Sequence, residues 1–165
     1  MKKTLIGLAA VLVLGACGGS DHVVTIDGVS LDLDDVPVSS ESSTIDDDTF
    51  RNALNWVIRD RVLVAAAEDE FGITFTEAEL TDRATMALGS LNPAEQDDPR
   101  ANLDYFLIQA RVGLDGLLWP QVNPLLPDGL SQNEWAIEKL LAADVEVDTR
   151  YGEWRVDPEP LVYEP

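Results

Sequence analysis

The chain has one cysteine, Cys17, and one histidine, His22, in 165 residues. A single cysteine leaves no intramolecular disulfide. A lone histidine near the N-terminus supports neither a Ser/His/Asp nor a Cys/His nucleophile, and no histidine-rich metal site. Positive charge is scarce as well: 11 Lys and Arg stand against 31 Asp and Glu, a formal balance of −20. So negative a surface argues against nucleic acid or anionic lipid as a direct ligand, since basic patches attract both. The acids themselves carry no metal signature. Asp32, Asp34 and Asp35, and Asp46 to Asp48, lack the central glycine and distal glutamate of a calcium-binding EF-hand loop. They read as solvated loop and helix cap, and no spacing singles out a carboxylate pair for glycoside hydrolysis. No cofactor and no metal is expected.

What is present begins with an address. Lys2 and Lys3 precede the apolar run Leu5 to Leu14, too short for an ordinary transmembrane helix, and Leu14-Gly15-Ala16-Cys17 follows. Small residues before a cysteine at this point form a lipobox. Residues 1–16 are expected to be a cleaved lipoprotein signal peptide, with an acylated Cys17 opening a tether over 17–22. Membrane contact on the extracytoplasmic face then comes from lipid alone, and two acyl chains anchor stably where one does not. Cleavage removes two lysines and no acids, taking the balance from −20 to −22. Acidity and a preference for Arg over Lys also accompany a salty habitat or a biased genome, so charge alone names no function.

The remaining stretch of about 149 residues is enough for one core. Its organising segment runs from Phe50 to Leu80. Phe50, Ala53, Leu54, Val57, Ile58 and Ala65 fall on one helix face, while Trp56, Leu63 and Ala67 form a second stripe. Two stripes imply packing on two sides, hence a central helix over about 46–71. Asp46 to Asp48 complement the positive end of its dipole, and Gly72 with Ile73 stops it. Thr76 and Glu79 form a capping box for a second helix bearing Leu80, Ala84, Ala87, Leu88 and Leu91. Arg61 lies on the main stripe, where an unpaired charge is costly, so it should reach a carboxylate or the protein edge.

Ahead of this segment, Asp27-Gly28 is a two-residue hairpin turn that sets Ile26 against Val29 and Val24 against Leu31. Val24, Ile26, Val29, Leu31 and Leu33 should share a face. After it, Asp98-Pro99 signals a third helix with Leu103, Phe106, Leu107, Ala110, Leu114, Leu117 and Leu118 on one side. Pro120, Pro124 and Pro127 exclude regular helix beyond Trp119. Ser131 and Glu134 cap a fourth helix with Trp135, Ile137, Leu140 and Leu141. Val145 and Val147 then alternate with acids as a strand with one wet face, expected to join the hairpin. The predicted fold is α+β and mainly α: about four helices around a central one, with a small antiparallel sheet made from the N-terminal hairpin and a C-terminal strand. The domain spans 23–150, and 151–165 is an extended acidic, proline-rich tail.

The pattern Leu54-x-x-Val57-Ile58-x-x-x-Val62-Leu63-x-x-Ala66, followed by Phe71-Gly72-Ile73 and the Thr76 capping box, resembles the N-terminal chaperone domain of the SurA and PrsA family of extracytoplasmic foldases. Members open this domain with a strand and a Val-Asn-Gly-like turn, as Ile26-Asp27-Gly28 does here. The segment from Val145 to Trp154 is similar to the one that closes the domain in actinobacterial lipoproteins of this type. Tyr151, Gly152 and Trp154 match, and Thr149 replaces a usual proline. The connector from Asp34 to Asp47 is longer than the resemblance implies. The family usually continues into a parvulin-type prolyl isomerase domain, and nothing after Asp148 has the length or the His and Cys content of one.

The resemblance therefore implies a non-enzymatic domain that holds unfolded or newly secreted polypeptides in apolar grooves. Trp56, Leu63, Trp119, Leu125, Leu126 and Trp135 are the candidate contacts, several of them near the proline-rich connector, although core packing is the ordinary use of each. The alternative is a dedicated docking subunit that binds one partner protein or a second copy of itself. An enzyme would require a deep cleft with two converging acids of raised pKa.

Overall fold

The computed structural model describes residues 21–38, 47–157 and 159–164. Cys17, the signal segment and most of the acidic connector lie outside the described residues. The described chain is a mainly helical α+β fold.

Strands β1 (His22–Ile26) and β2 (Val29–Asp32) form the expected hairpin. Asp27 and Gly28 both take positive φ, 48° and 81°, the mirror-image turn whose twist suits two strands. The register is Ile26 opposite Val29 and Val24 opposite Leu31, with a bulge between His22 and Val24. Val24, Ile26 and Leu31 are buried, but Val29, beside the turn, is 61% exposed, and Leu33, in a 3-10 turn past the other end of β2, is 36% exposed. Strand β3 (Val145–Val147) pairs antiparallel on the other side of β1, giving the order β2-β1-β3. Glu146 points to water, and Val145 and Val147 pack partly buried against the core.

Helix α1 (Asp47–Phe71) is the hub. It buries Ala53, Leu54, Val57, Ile58, Val62, Leu63 and Ala67, while Ala65 is exposed and Phe50 only half-buried, so the main stripe ends one turn earlier than its spacing implies. Gly72 takes φ 68° and its N–H closes on Glu68 O, and the next residue, Ile73, is buried. Thr76 and Glu79 make the reciprocal capping box of α2 (Glu77–Gly89). Leu80 and Ala84 of this helix form a small second core with Ala110, flanked by Phe75, Phe106, Leu107 and Leu117.

Helix α3 (Leu103–Val112) begins later and ends earlier than predicted. Its cap is Asn102, which accepts from Tyr105 N–H, whereas Asp98 is held by the Arg100 guanidinium at 2.7 Å and so cannot cap. The chain leaves the helix at Gly113, and Leu117 N–H returns to Ala110 O. This fold-back leaves Leu114 92% exposed; Leu103, at the other end of the helix, is 40% exposed, and the buried residues are Ile108, Ala110 and Val112. A short helix α4 (Leu118–Val122) follows despite Pro120. Proline is tolerated there because first-turn N–H groups have no intrahelical acceptor to lose. A 3-10 turn over Asn123–Leu125 leads to α5 (Gln132–Ala142), capped by Ser131 and Glu134 as predicted, with Trp135, Ala136 and Leu140 buried.

The reading of 151–165 as an extended acidic, proline-rich tail outside the domain is corrected. Strands β4 (Glu153–Arg155) and β5 (Leu161–Tyr163) form an antiparallel pair that docks on α1. The Asn55 side chain of α1 accepts Val162 N–H at 2.7 Å, Val162 is buried, and Tyr151 lies 5.0 Å from Phe50. Before this hairpin, Arg150 holds the Asp148 carboxyl down at about 2 through paired hydrogen bonds.

Gly152 makes that docking possible. It takes φ 149°, and a Cβ there would lie 2.6 Å from the carbonyl of Tyr163. Gly152→Ala is expected to destabilise the fold by roughly 2–5 kcal/mol, combining backbone strain with overlap against main chain. Chemical denaturation of the two forms checks this, and an unchanged midpoint would show that the C-terminal hairpin does not support the fold.

Candidate functional site

The hairpin, α1, the start of α2 and the end of α3 converge on an open groove of about 660 Å³. Ile26, Val29 and Leu31 supply one wall from the sheet, Val64 and Ala65 the α1 side, and Phe75 and Leu80 the entrance to α2. Ala65 of α1 and Val29 of the hairpin are both exposed, so the apolar wall is open to solvent where they line it.

At the groove lies a charge pair that the helix stripes do not announce. Asp60 is 6% exposed, and Arg111 grips it with two parallel bonds, Nε to Oδ1 at 2.6 Å and Nη2 to Oδ2 at 2.7 Å. Burial pushes the Asp60 carboxyl above its usual range, and the Arg111 bonds and charge pull it part of the way back. The only trace in sequence is an acid between two apolar stripes of α1 and an arginine between Ala110 and Val112. Arg61, the residue suspected of needing a partner, is exposed on the groove margin, as is Glu68. The groove therefore offers apolar walls with Asp60 paired to Arg111, and its other two acids, Asp27 and Glu68, are exposed at its margin.

The residues singled out from sequence do not gather in one place. Leu63, 1% exposed, and Trp135, 2% exposed, belong to the core and are corrected as surface contacts. Trp135 Nε1 donates to Glu70 at 2.9 Å, and its ring meets Trp119 edge-on at 6.5 Å. Trp119 is half-buried and donates Nε1–H to Gly113 O at 2.8 Å. The tertiary fold thus uses the apolar connector to cover α1 and α5. Leu126 packs half-buried on the core, and Leu125 alone of these two is exposed, at 51%. Trp56 is half-buried in a separate hollow with Ala87, Phe106 and Leu114, its ring 5.9 Å from the Arg59 guanidinium. Among the described residues no cluster of three or more His, Cys, Asp and Glu could hold a metal ion, and no helix is long and apolar enough to cross a membrane.

No family model, curated protein or solved structure matches the chain.

Removing one member of the charge pair strands the other. Arg111→Ala is expected to cost about 3 kcal/mol, the low end for a broken buried pair because the Arg111 side chain is 24% exposed. Without Arg111 the Asp60 carboxyl rises further above its unfolded value, so this variant loses stability as pH climbs through the carboxylate range. Asp60→Leu with Arg111→Leu should recover most of the loss, because neither charge then remains buried. Denaturation of the single and double variants across pH measures this, and additive losses would show that the two residues act independently.

Proposed function

We propose that the chain is a non-enzymatic, chaperone-like lipoprotein domain, anchored by an acylated Cys17 on the extracytoplasmic face of the membrane, that binds unfolded or newly secreted polypeptides. The observation that carries this reading is the open apolar groove beside the hairpin, where Val29 stands 61% exposed. Exposed apolar side chains that share a concave surface mark places where other chains are held. The likeness of the Leu54 to Leu80 segment and of Tyr151-Gly152-x-Trp154 to the SurA and PrsA foldases points the same way. The strongly acidic surface keeps such a domain soluble and steers basic polypeptides toward it.

A second reading, a docking subunit for one partner or a second copy, is favoured by one feature elsewhere. Leu114, 92% exposed, overhangs the separate Trp56 hollow at the end of α3.

The form that starts at Gly18 is expected to suppress the aggregation of reduced insulin at a few-fold molar excess, followed by light scattering. Replacing Val29 or Val64 with Glu should weaken the suppression while leaving the melting curve in place. No suppression by the unmutated form would remove the chaperone reading, and a stable stoichiometric dimer in sedimentation would put the docking reading first.

A further inference from the structure

Strand β2 is the outer strand of its sheet, and among the described residues no strand lies beyond it. Its pairing with β1 decides which backbone groups are left over. Ile26 with Val29, and Val24 with Leu31, face each other on either side of the Thr25–Ser30 pair. The two-residue turn makes Ile26 and Val29 a hydrogen-bonded pair, and antiparallel pairs alternate, so Ser30 turns its N–H and C=O away from β1. The edge ends two residues later, where Asp32 N–H bonds the Asp35 carboxylate at 2.9 Å.

Edges of this kind are ordinarily blunted by lysine, proline or a covering element. The strand reads Val-Ser-Leu-Asp, with neither residue. What lies next to it is the apolar groove. A strand added here would continue the pleat, so its alternate side chains would fall on the Val29 and Leu31 face, over Val64, Ala65 and Phe75. The intervening side chains would stand beside Ser30 in water. The exposed charges at the groove are Asp27 and Glu68, against Arg61, since Arg111 is neutralised by Asp60, and Asp32 adds a further exposed acid at the end of β2 itself.

We propose that the β2 edge takes up an extended peptide segment of alternating apolar and basic residues as an added strand, apolar side chains in the groove and basic ones facing the acidic rim. This rests on the polypeptide-binding reading and specifies its mode and its ligand chemistry. Ser30 contributes main-chain bonds indifferent to sequence, the groove selects the two-residue period, and the rim selects charge. One outward-facing residue makes a weak, quickly exchanging contact, which suits a domain that must release what it holds.

The test uses a short fluorescein-labelled peptide of alternating Val and Lys, with binding to the full-length chain followed by fluorescence anisotropy. Peptides of the same composition in Val and Lys blocks, and of alternating Val and Glu, should bind roughly tenfold more weakly or worse, since each forfeits interactions of about a kcal/mol or more. Two further peptides, N-methylated on the Val or on the Lys residues, should differ: one keeps its affinity and the other loses it, according to which edge faces β2. Ser30→Pro removes the outward N–H without touching the backbone bonds between β1 and β2, losing only the exposed Thr25 Oγ1–Ser30 Oγ contact at 3.4 Å, and should weaken binding while the melting temperature stays close to the parent's.

Equal binding of the alternating and block peptides, of both N-methylated peptides and their parent, or of Ser30→Pro and the parent chain would overturn strand addition. If the parent and Ser30→Pro suppress insulin aggregation alike, strand addition falls and the polypeptide-binding reading stands. If neither insulin nor the peptide is bound, both fall.

Discussion

A long helix that is apolar on two sides cannot be left in water on either, and covering α1 is the constraint from which the rest of this structure follows. Its side chains Leu54, Ile58 and Leu63 are 0–1% exposed, and burial of each stabilises by roughly 1.5–3 kcal/mol. No single partner supplies that cover. The sheet lies on one part, α3 and α4 on another, α5 near its C-terminal end and the C-terminal hairpin near its N-terminal half. The two ends of the described chain meet this demand together: β3 pairs with β1, and β5 is held by Asn55.

The same constraint produces the groove. Elements with separate attachments to one helix need not close against one another, and Val29 at the hairpin turn is left as exposed apolar wall. The Asp60–Arg111 pair sits at this junction between α1 and α3. Replacing such a pair with apolar residues is often neutral or favourable for stability, but its two parallel bonds join α1 and α3 in one geometry. The wall of the groove is thereby set by a directional contact as well as by hydrophobic packing, which has no direction of its own.

Elements whose cause is local could be read directly. The Asp27-Gly28 turn and its register, the stop at Gly72, and the capping boxes at Thr76 and Ser131 involve residues two to four apart, whose geometry depends little on what packs around them. A local signal could also be overridden: Asp98-Pro99 predicts the start of α3, but the cap is Asn102, because Arg100 occupies the Asp98 carboxylate while the Asn102 amide also reaches Pro37 O across the fold. Of the six apolar residues proposed as client contacts, Leu63 and Trp135 proved to be core for a related reason. Hydrophobicity states that a side chain will be covered, not whether its cover comes from within the chain or from outside.

The sequence by itself determined a mainly helical fold around a two-sided central helix, the hairpin at its start and the strand that returns to it. Periodicity, caps and turn chemistry act over one or two turns of chain and are complete within it. Only the tertiary structure decided that Leu63 and Trp135 are core, that Arg111 answers Asp60 across 51 residues, and that Gly152 lets Val162 dock on α1. These depend on which surfaces meet. Two residues far apart in sequence carry no mark of being partners until packing brings their elements together, and the position of β2 at the edge of the described sheet, beside an open groove, is likewise a property of that assembly alone.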